Sequence, residues 1–309
     1  MGVHSPAVWF GFTALIATLL VLDLGVLNRR SHVLSFKEAI SWSSGLISIA
    51  LLFGVFLWVK EGTGPALEYY TGYVIELSLS VDNLFVFLLI FQYFAVPAEL
   101  QPRILKWGII GALVLRGIMI SLGAILLAQF HWIIYVFGGI LILTGIRMFR
   151  GTGDRIEPDR NPLVRTARRV IPMVEAYDGQ NFFLRTHKGW MATPLLLVLL
   201  MVEWSDLVFA IDSIPAIFAV TRDPFIVYSS NVFAVLGLRA LYFVLAGMMD
   251  RFEYLKPGVA AILVFVGVKM LVNGIVPVPI GISLGVIVGI LGVSIVISMR
   301  KTRTVAAEG

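Results

Sequence analysis

Long apolar stretches follow one another along this chain, and carboxylates interrupt them at set places. Nine stretches suit membrane crossing: 6–28, 41–59, 68–95, 104–129, 131–149, 192–220, 226–249, 255–276 and 279–299. About 20 apolar residues as helix cross a bilayer, and lipid offers the backbone no hydrogen-bond partner. The expected fold class is therefore all-α, a polytopic membrane protein with about nine transmembrane helices. A composition of 59% hydrophobic and 14% charged residues excludes a soluble domain of ordinary make-up. The net charge of +5 is spread over short loops, which excludes a nucleic-acid-binding face. Cysteine is absent, so neither disulfides nor thiolate metal sites are available. No positive segment precedes the first apolar run, which argues against a cleaved signal peptide.

Basic residues set the expected topology. The largest polar segment, 150–190, carries Arg150, Arg155, Arg160, Arg165, Arg168, Arg169, Arg185 and Lys188. By the positive-inside rule it is cytoplasmic, and nine crossings then place every other loop. Arg29, Arg30, Lys37, Arg103, Lys106, Arg251, Lys256, Arg300, Lys301 and Arg303 fall inside, against only Lys60 and Arg222 outside. The amino terminus is expected outside and the carboxyl terminus inside.

Two stretches of acids stand out. Glu76-Leu-Ser-Leu-Ser-Val-Asp82-Asn83 is echoed by Asp206-Leu-Val-Phe-Ala-Ile-Asp212-Ser213, with the same step between acids, and Glu203 precedes the second by one turn. Each ionised acid at a bilayer centre costs roughly 2.5–3.5 kcal/mol, so five cost on the order of 12–18 kcal/mol unless partners, protons or a cation offset them. A bound cation is the simplest answer. The echo continues. Leu115-Arg116 matches Leu238-Arg239, Phe130-His-Trp-Ile matches Phe252-Glu-Tyr-Leu, and Gly145-Ile-Arg-Met matches Gly267-Val-Lys-Met. One domain, 1–309, is expected, with two lead helices (1–60), copy one (61–150), a basic cytoplasmic loop (151–190), copy two (191–276) and a closing helix with its tail (277–309). Three helices per copy invert the second relative to the first, a plan of secondary transporters.

Arg116 and Arg239 sit too deep to snorkel and are expected as counter-charges to the acids. Five acids and two arginines leave a deficit that suits a divalent cation, a monovalent cation with protons, or two neutral carboxyls. The bland alternative is a purely structural ion-pair network. A six-residue step turns a helix by about 240° and advances it about 9 Å, so Glu76 and Asp82 do not share a face of a continuous helix. Glu203 and Asp206 do. Pro215 is expected to unwind 211–214 and free carbonyls there. The candidate metal ligands Glu76, Asp82, Asn83, Glu203, Asp206, Asp212 and Ser213 offer only oxygen. That favours Mg²⁺, Ca²⁺ or Mn²⁺ over Zn²⁺ or Cu⁺, while Na⁺ and H⁺ stay compatible. Lesser expectations are Asp23 pairing near Arg29, snorkelling for Arg147 and Lys269, pairing for Asn231 within its bundle, and close packing for the glycines from Gly281 to Gly292. His4, His32, His131 and His187 are scattered and not expected as ligands.

Leu22-Asp-Leu-Gly with Arg29-Arg30, the run Glu76 to Phe87, and Glu203-Trp-Ser-Asp-Leu-Val-Phe-Ala-Ile-Asp-Ser-Ile-Pro-Ala together resemble the TerC family of integral membrane proteins, over nearly the whole chain. The resemblance implies tellurium-resistance association and efflux of divalent metal, chiefly Mn²⁺, with the motif acids as ion path, in a bacterial inner membrane or a plastid. The expected partners are the transported ion, protons in possible exchange, and the bilayer. No resident cofactor and no enzymatic activity are expected, because no nucleophile-base arrangement or nucleotide loop is present. The alternative function is a non-transporting scaffold or stress-response factor acting through 150–190.

Overall fold

The structure is a computed structural model, described here for residues 6–22, 35–130, 132–150, 166, 169, 171–174, 177–187, 189–246, 255–272 and 278–308. Its described helices are α1 (Pro6–Val21), α2 (Phe36–Glu61), α3 (Thr63–Tyr93), α4 (Gln101–Gln129), α5 (Ile133–Phe149), α6 (Pro194–Phe218), α7 (Pro224–Ala246), α8 (Leu255–Val272) and α9 (Ile280–Glu308). Six of them, α2, α3, α4, α6, α7 and α9, are long and apolar enough to cross a membrane. The molecule is an all-α polytopic membrane protein. One addition was not expected. Phe183–Thr186 (β1) pairs antiparallel with Gly189–Ala192 (β2), with Phe183 opposite Ala192. Asp23, Arg29, Arg30, His4, His32 and His131 lie outside the described residues, and His187 sits exposed at the hairpin turn.

Local chemistry sets the boundaries. Ser35 and Glu38 cap α2 reciprocally, the Ser35 N–H donating to Glu38 Oε2 at 2.9 Å. Pro102, Pro194 and Pro224 stand in the first turns of α4, α6 and α7, where their missing N–H costs nothing. Pro215 does not unwind α6, which runs unbroken through it to Phe218. A proline inside a packed membrane helix removes one bond, and neighbouring helices hold the rest.

α7 is the most enclosed helix, with Val232, Val235, Leu236 and Ala240 buried, packed against α2, α3 and α4. Aromatic edges fasten α1, α2 and α3 to it. Phe12 meets Phe53 at 5.5 Å and Phe225 at 5.4 Å, and Phe53 meets Phe233 at 5.1 Å. The Tyr69 hydroxyl, fully buried, donates to the Ala50 carbonyl at 3.0 Å. Large apolar side chains on the outer faces stay exposed, among them Leu52, Val59, Val114 and Val293, as a lipid-facing surface requires.

Packing pairs the two stretches of repeated sequence. α3 lies on α7 and α4 on α6, α5 lies on α6 and α8 on α3, and α5 lies along α8. A Cβ built at Gly145 would stand 2.7 Å from the Ala260 carbonyl oxygen, and one at Gly267 would stand 2.8 Å from that of Gly138. The residue numbers rise along one helix as they fall along the other, so α5 and α8 run antiparallel in backbone contact. Gly145 matches Gly267 and Gly138 matches Ala260 in the sequence repeat, so the two contacts are counterparts.

The glycines of α9 behave otherwise. Nothing lies within 4 Å of a Cβ built at Gly281, Gly285, Gly289 or Gly292, which corrects the expectation of close packing there. Only one side of α9 meets α3 and α8, and these glycines point elsewhere. Gly145→Ala is therefore expected to lower stability by about 1–3 kcal/mol through overpacking. Gly289→Ala should leave it within about 0.5 kcal/mol. Thermal unfolding of both variants in detergent checks the contrast.

Candidate functional site

Arg116, on α4, is 1% exposed and lies between one acid from each stretch of the repeat. Its Nε and Nη2 donate to the two oxygens of Asp206 on α6, at 3.1 and 2.9 Å, and its Nη1 donates to Glu76 Oε2 on α3 at 2.6 Å. Glu76 is fully buried and Asp206 is 2% exposed. Charge burial of this kind persists only with good geometry and complete pairing. The planar guanidinium supplies a fork to one carboxylate and a single bond to the other.

The pairing leaves acid uncompensated. Glu203 stands one turn before Asp206, and the Asp206 carboxylate charge acts on it. Its oxygens occupy the volume that any side chain at Gly111 would fill. Gly111 is thus the position that lets a carboxylate reach the wall of α4. Glu203 Oε2 and Glu76 Oε1 have no hydrogen-bond partner, nor have Ser80 Oγ, Asn83 Nδ2 and Ser213 Oγ, all buried. Two carboxylates share one guanidinium here, and Glu203 adds a third acid one turn from Asp206, against Gly111 rather than on Arg116.

The remaining sequence-predicted residues spread around this core. Asp212 Oδ1 accepts from the Thr144 hydroxyl of α5 at 2.8 Å, and Arg147 of the same helix acts on it electrostatically. Asn83 and Ser213 are buried one position after the second acid of each motif, and Arg239 is buried at 3% exposure. Asp82 lies on α3, but its side chain is outside the described residues. α3 is continuous over Thr63–Tyr93, so the six-residue step from Glu76 to Asp82 runs along unbroken helix. Among the described residues no three His, Asp or Glu side chains stand close enough to hold a metal ion together. A void of about 10 Å³ beside Asp206, walled by Phe87, Leu105 and Val202, has room for one water at most. Among the described residues, the space beside Asp206 is too small for a hydrated ion in this conformation.

Three expectations need correction. Lys269 does not snorkel; it is 6% exposed, within electrostatic reach of Glu68 of α3. Asn231 does not pair within its bundle, since both its amide atoms are fully buried without partners. Of the carbonyls at 211–214 only that of Ile211 loses its helical donor, to Pro215, because α6 stays helical. Thr144 and Gly111 went unremarked in the sequence for good reason. A threonine in an apolar helix ordinarily bonds back to its own turn, as Thr13, Thr18 and Thr71 do here. A lone helical glycine reads as packing.

At one end of the bundle the segment before α6 braces the helices. The Tyr177 hydroxyl donates to the Phe94 carbonyl at 2.8 Å, and Arg103 donates to Gln180 at 3.2 Å while lying 5.1 Å over the Phe182 ring. Burial pushes the Tyr177 phenol up to about 12, so it stays protonated and keeps donating at physiological pH.

These features define an integral membrane protein of helices built round a buried acid–arginine core. Residues 61–306 match the family described as the integral membrane protein TerC family, and the chain belongs to that family. It is 53% identical over 301 residues to a Myxococcus xanthus protein named "Uncharacterized membrane protein STKORF319", a match covering 97% of this chain and 94% of the other. It is 48% identical over 305 residues to the "Putative membrane-bound redox modulator Alx" of Escherichia coli (strain K12), covering 96% and 95%. A Rickettsia bellii membrane protein is 40% identical over 297 residues, covering 96% and 98%. No solved structure matches the chain.

Removing the shared cation should expose what it holds. Arg116→Met leaves two buried carboxylates uncompensated and is expected to destabilise the protein by about 3–5 kcal/mol. Adding Glu76→Gln and Asp206→Asn to it should recover part of that loss. Apparent Tm in detergent, alongside the amount of folded protein in the membrane, reads both effects.

Proposed function

We propose that this protein is a transporter that exports divalent metal ions, Mn²⁺ foremost, through its buried acidic core by alternating access. The observation that carries this reading is the convergence of Glu76 and Asp206 on Arg116, one acid from each stretch of the repeat. With Glu203 beside them, the acids here carry more charge than Arg116 offsets, which suits a bound cation. The unpartnered oxygens of Glu76, Ser80, Glu203 and Ser213 supply a hard, oxygen-rich environment for it. Mn²⁺ is preferred within that class on the family resemblance. Asp82 and Asp212 complete the candidate ligand set, and Arg116 and Arg239 bias the site electrostatically.

The small space beside Asp206 fits alternating access. A void for one water admits no hydrated ion, so loading requires the two halves to part. Residues 61–150 and 191–276 serve as those halves, in opposite orientation. The antiparallel contact of α5 with α8 and the exchangeable helix pairs support this arrangement. The basic segment 150–190 then faces the cytoplasm of a bacterial inner membrane, with the amino terminus outside and the carboxyl terminus inside. A redox role, which the name of the Escherichia coli relative carries, would need a group other than a thiol in this chain, which has no cysteine.

The test is metal content of cells with and without the full chain, across Mn²⁺, Ca²⁺, Mg²⁺ and Na⁺. Expression is expected to lower Mn²⁺ accumulation. Glu76→Gln, Asp206→Asn, Asp82→Ala and Asp212→Ala should each reduce efflux at unchanged protein abundance, by about 10–100-fold. Retained efflux in both Asp82→Ala and Asp212→Ala removes the acids from the ion path.

A further inference from the structure

A second polar cluster lies on the same face of α3 as Glu76, nearer the start of the helix. Glu68, Gly72 and Glu76 are spaced by four residues, so they stack along one face, and Glu68 stands about 12 Å from Glu76 along the axis. The Thr221 hydroxyl, in the joint between α6 and α7, donates to Glu68 Oε2. Thr221 Oγ1 also accepts from the Asp223 N–H at 3.2 Å, and Asp223 in turn caps α7 through the Phe225 N–H at 2.9 Å. From α8, Lys269 acts on Glu68 with its positive charge, and Asp223 acts on it with a negative one. Lys269 and Thr221 are buried, whereas Glu68 is half-buried.

Between this cluster and the core the lining stays polar. A Cβ at Gly72 would lie 3.0 Å from Ser230 Oγ, so the glycine lets α7 bring Ser229, Ser230 and Asn231, all fully buried, against this part of α3. Asn231 has both amide atoms without hydrogen-bond partners. An amide buried at such cost marks a place where something polar passes or binds.

The cluster also has a counterpart. Lys269 holds the position in α8 that Arg147 holds in α5, and Arg147 acts on Asp212 of α6. Each third helix of the repeat thus sets a basic residue near an acid on the first helix of the other copy, although in the repeat Asp212 corresponds to Asp82 and not to Glu68. Arg116 forks onto its acids, but Lys269 influences Glu68 through its charge. A carboxylate has about four lone-pair sites, and the single hydroxyl of Thr221 uses one. Glu68 retains capacity for a cation.

We propose that Glu68, Thr221 and Lys269 form the outer gate of the ion path, in which the Lys269 ammonium stands in for a divalent cation at Glu68 and gives way as the ion leaves. This rests on the transport reading above and adds a release site to it. Between passages, the same charge opposes entry of divalent cations from outside.

The test measures Mn²⁺ efflux from loaded cells expressing the full chain, over a series of external Mn²⁺ concentrations, with membrane abundance followed in parallel. Lys269→Gln is expected to let external Mn²⁺ inhibit efflux at about tenfold lower concentration, because one opposing charge is gone. Glu68→Gln keeps an acceptor for Thr221 but loses its charge, so it should slow efflux about fivefold or more and raise the inhibitory concentration about tenfold. Combined, the two substitutions should still export slowly. If the pair is only structural, the double variant recovers wild-type rate and inhibition, which overturns the gate. Should Lys269→Gln fail to accumulate, Glu68→Gln decides alone, and wild-type rate and inhibition in it overturn the gate. A wild-type chain that moves no Mn²⁺ overturns both this inference and the transport reading. Wild-type export with unchanged variants overturns the gate only.

Discussion

The charge on Arg116 is what lets the rest of the bundle exist. Two carboxylates at the depth of α3 and α6 would otherwise each face an apolar interior alone, and helices cannot close round unpaired charge. The guanidinium satisfies one acid with a fork and the other with a single bond, joining three helices at one point. Because Glu76 and Asp206 belong to different copies of the repeat, the bond that stabilises the closed form also ties the halves together. An interaction that joins halves in this way can hold a closed state and, when its acids are engaged elsewhere, release it.

Around that point the chemistry is graded. At the centre, acids outnumber the cation and several hydroxyl and amide atoms lack partners. Farther out, Asp212 is held by Thr144 and influenced by Arg147, and Glu68 is held by Thr221 and influenced by Lys269. The apolar remainder of the protein keeps these groups from exchanging partners with water. Aromatic contacts among Phe12, Phe53, Phe225 and Phe233 pin the lead helices to α7, so the polar interior is enclosed on that side by rigid packing.

Much of this was legible in the amino-acid order. Hydrophobic length locates the helices to within a few residues, since lipid leaves the backbone no other option. The buried acids and Arg116 were visible as charges in hydrocarbon, and the Glu203–Asp206 spacing put both on one face of their helix. What escaped were effects of tertiary placement. Lys269 reads as a helix-end lysine free to reach the interface, but Glu68 is 201 positions away in the chain and only packing of α8 on α3 brings them into range. Pro215 reads as a break, yet one missing bond inside a packed bundle does not open a turn. The hairpin of β1 and β2 left only a weak local trace, the His187-to-Gly189 turn between short segments.

The glycine seam between α5 and α8 has a mechanical consequence. Where Gly145 meets the Ala260 carbonyl and Gly267 meets that of Gly138, the backbones are at their limit of approach, and side chains of Val264, Leu271 and Ile142 from the facing helix are seated against the seam glycines. Two rods pressed together that closely cannot be squeezed further, and the side chains lodged in the gaps left by the glycines oppose sliding. The seam therefore works as a keyway, fixing the lengthwise register of α5 on α8.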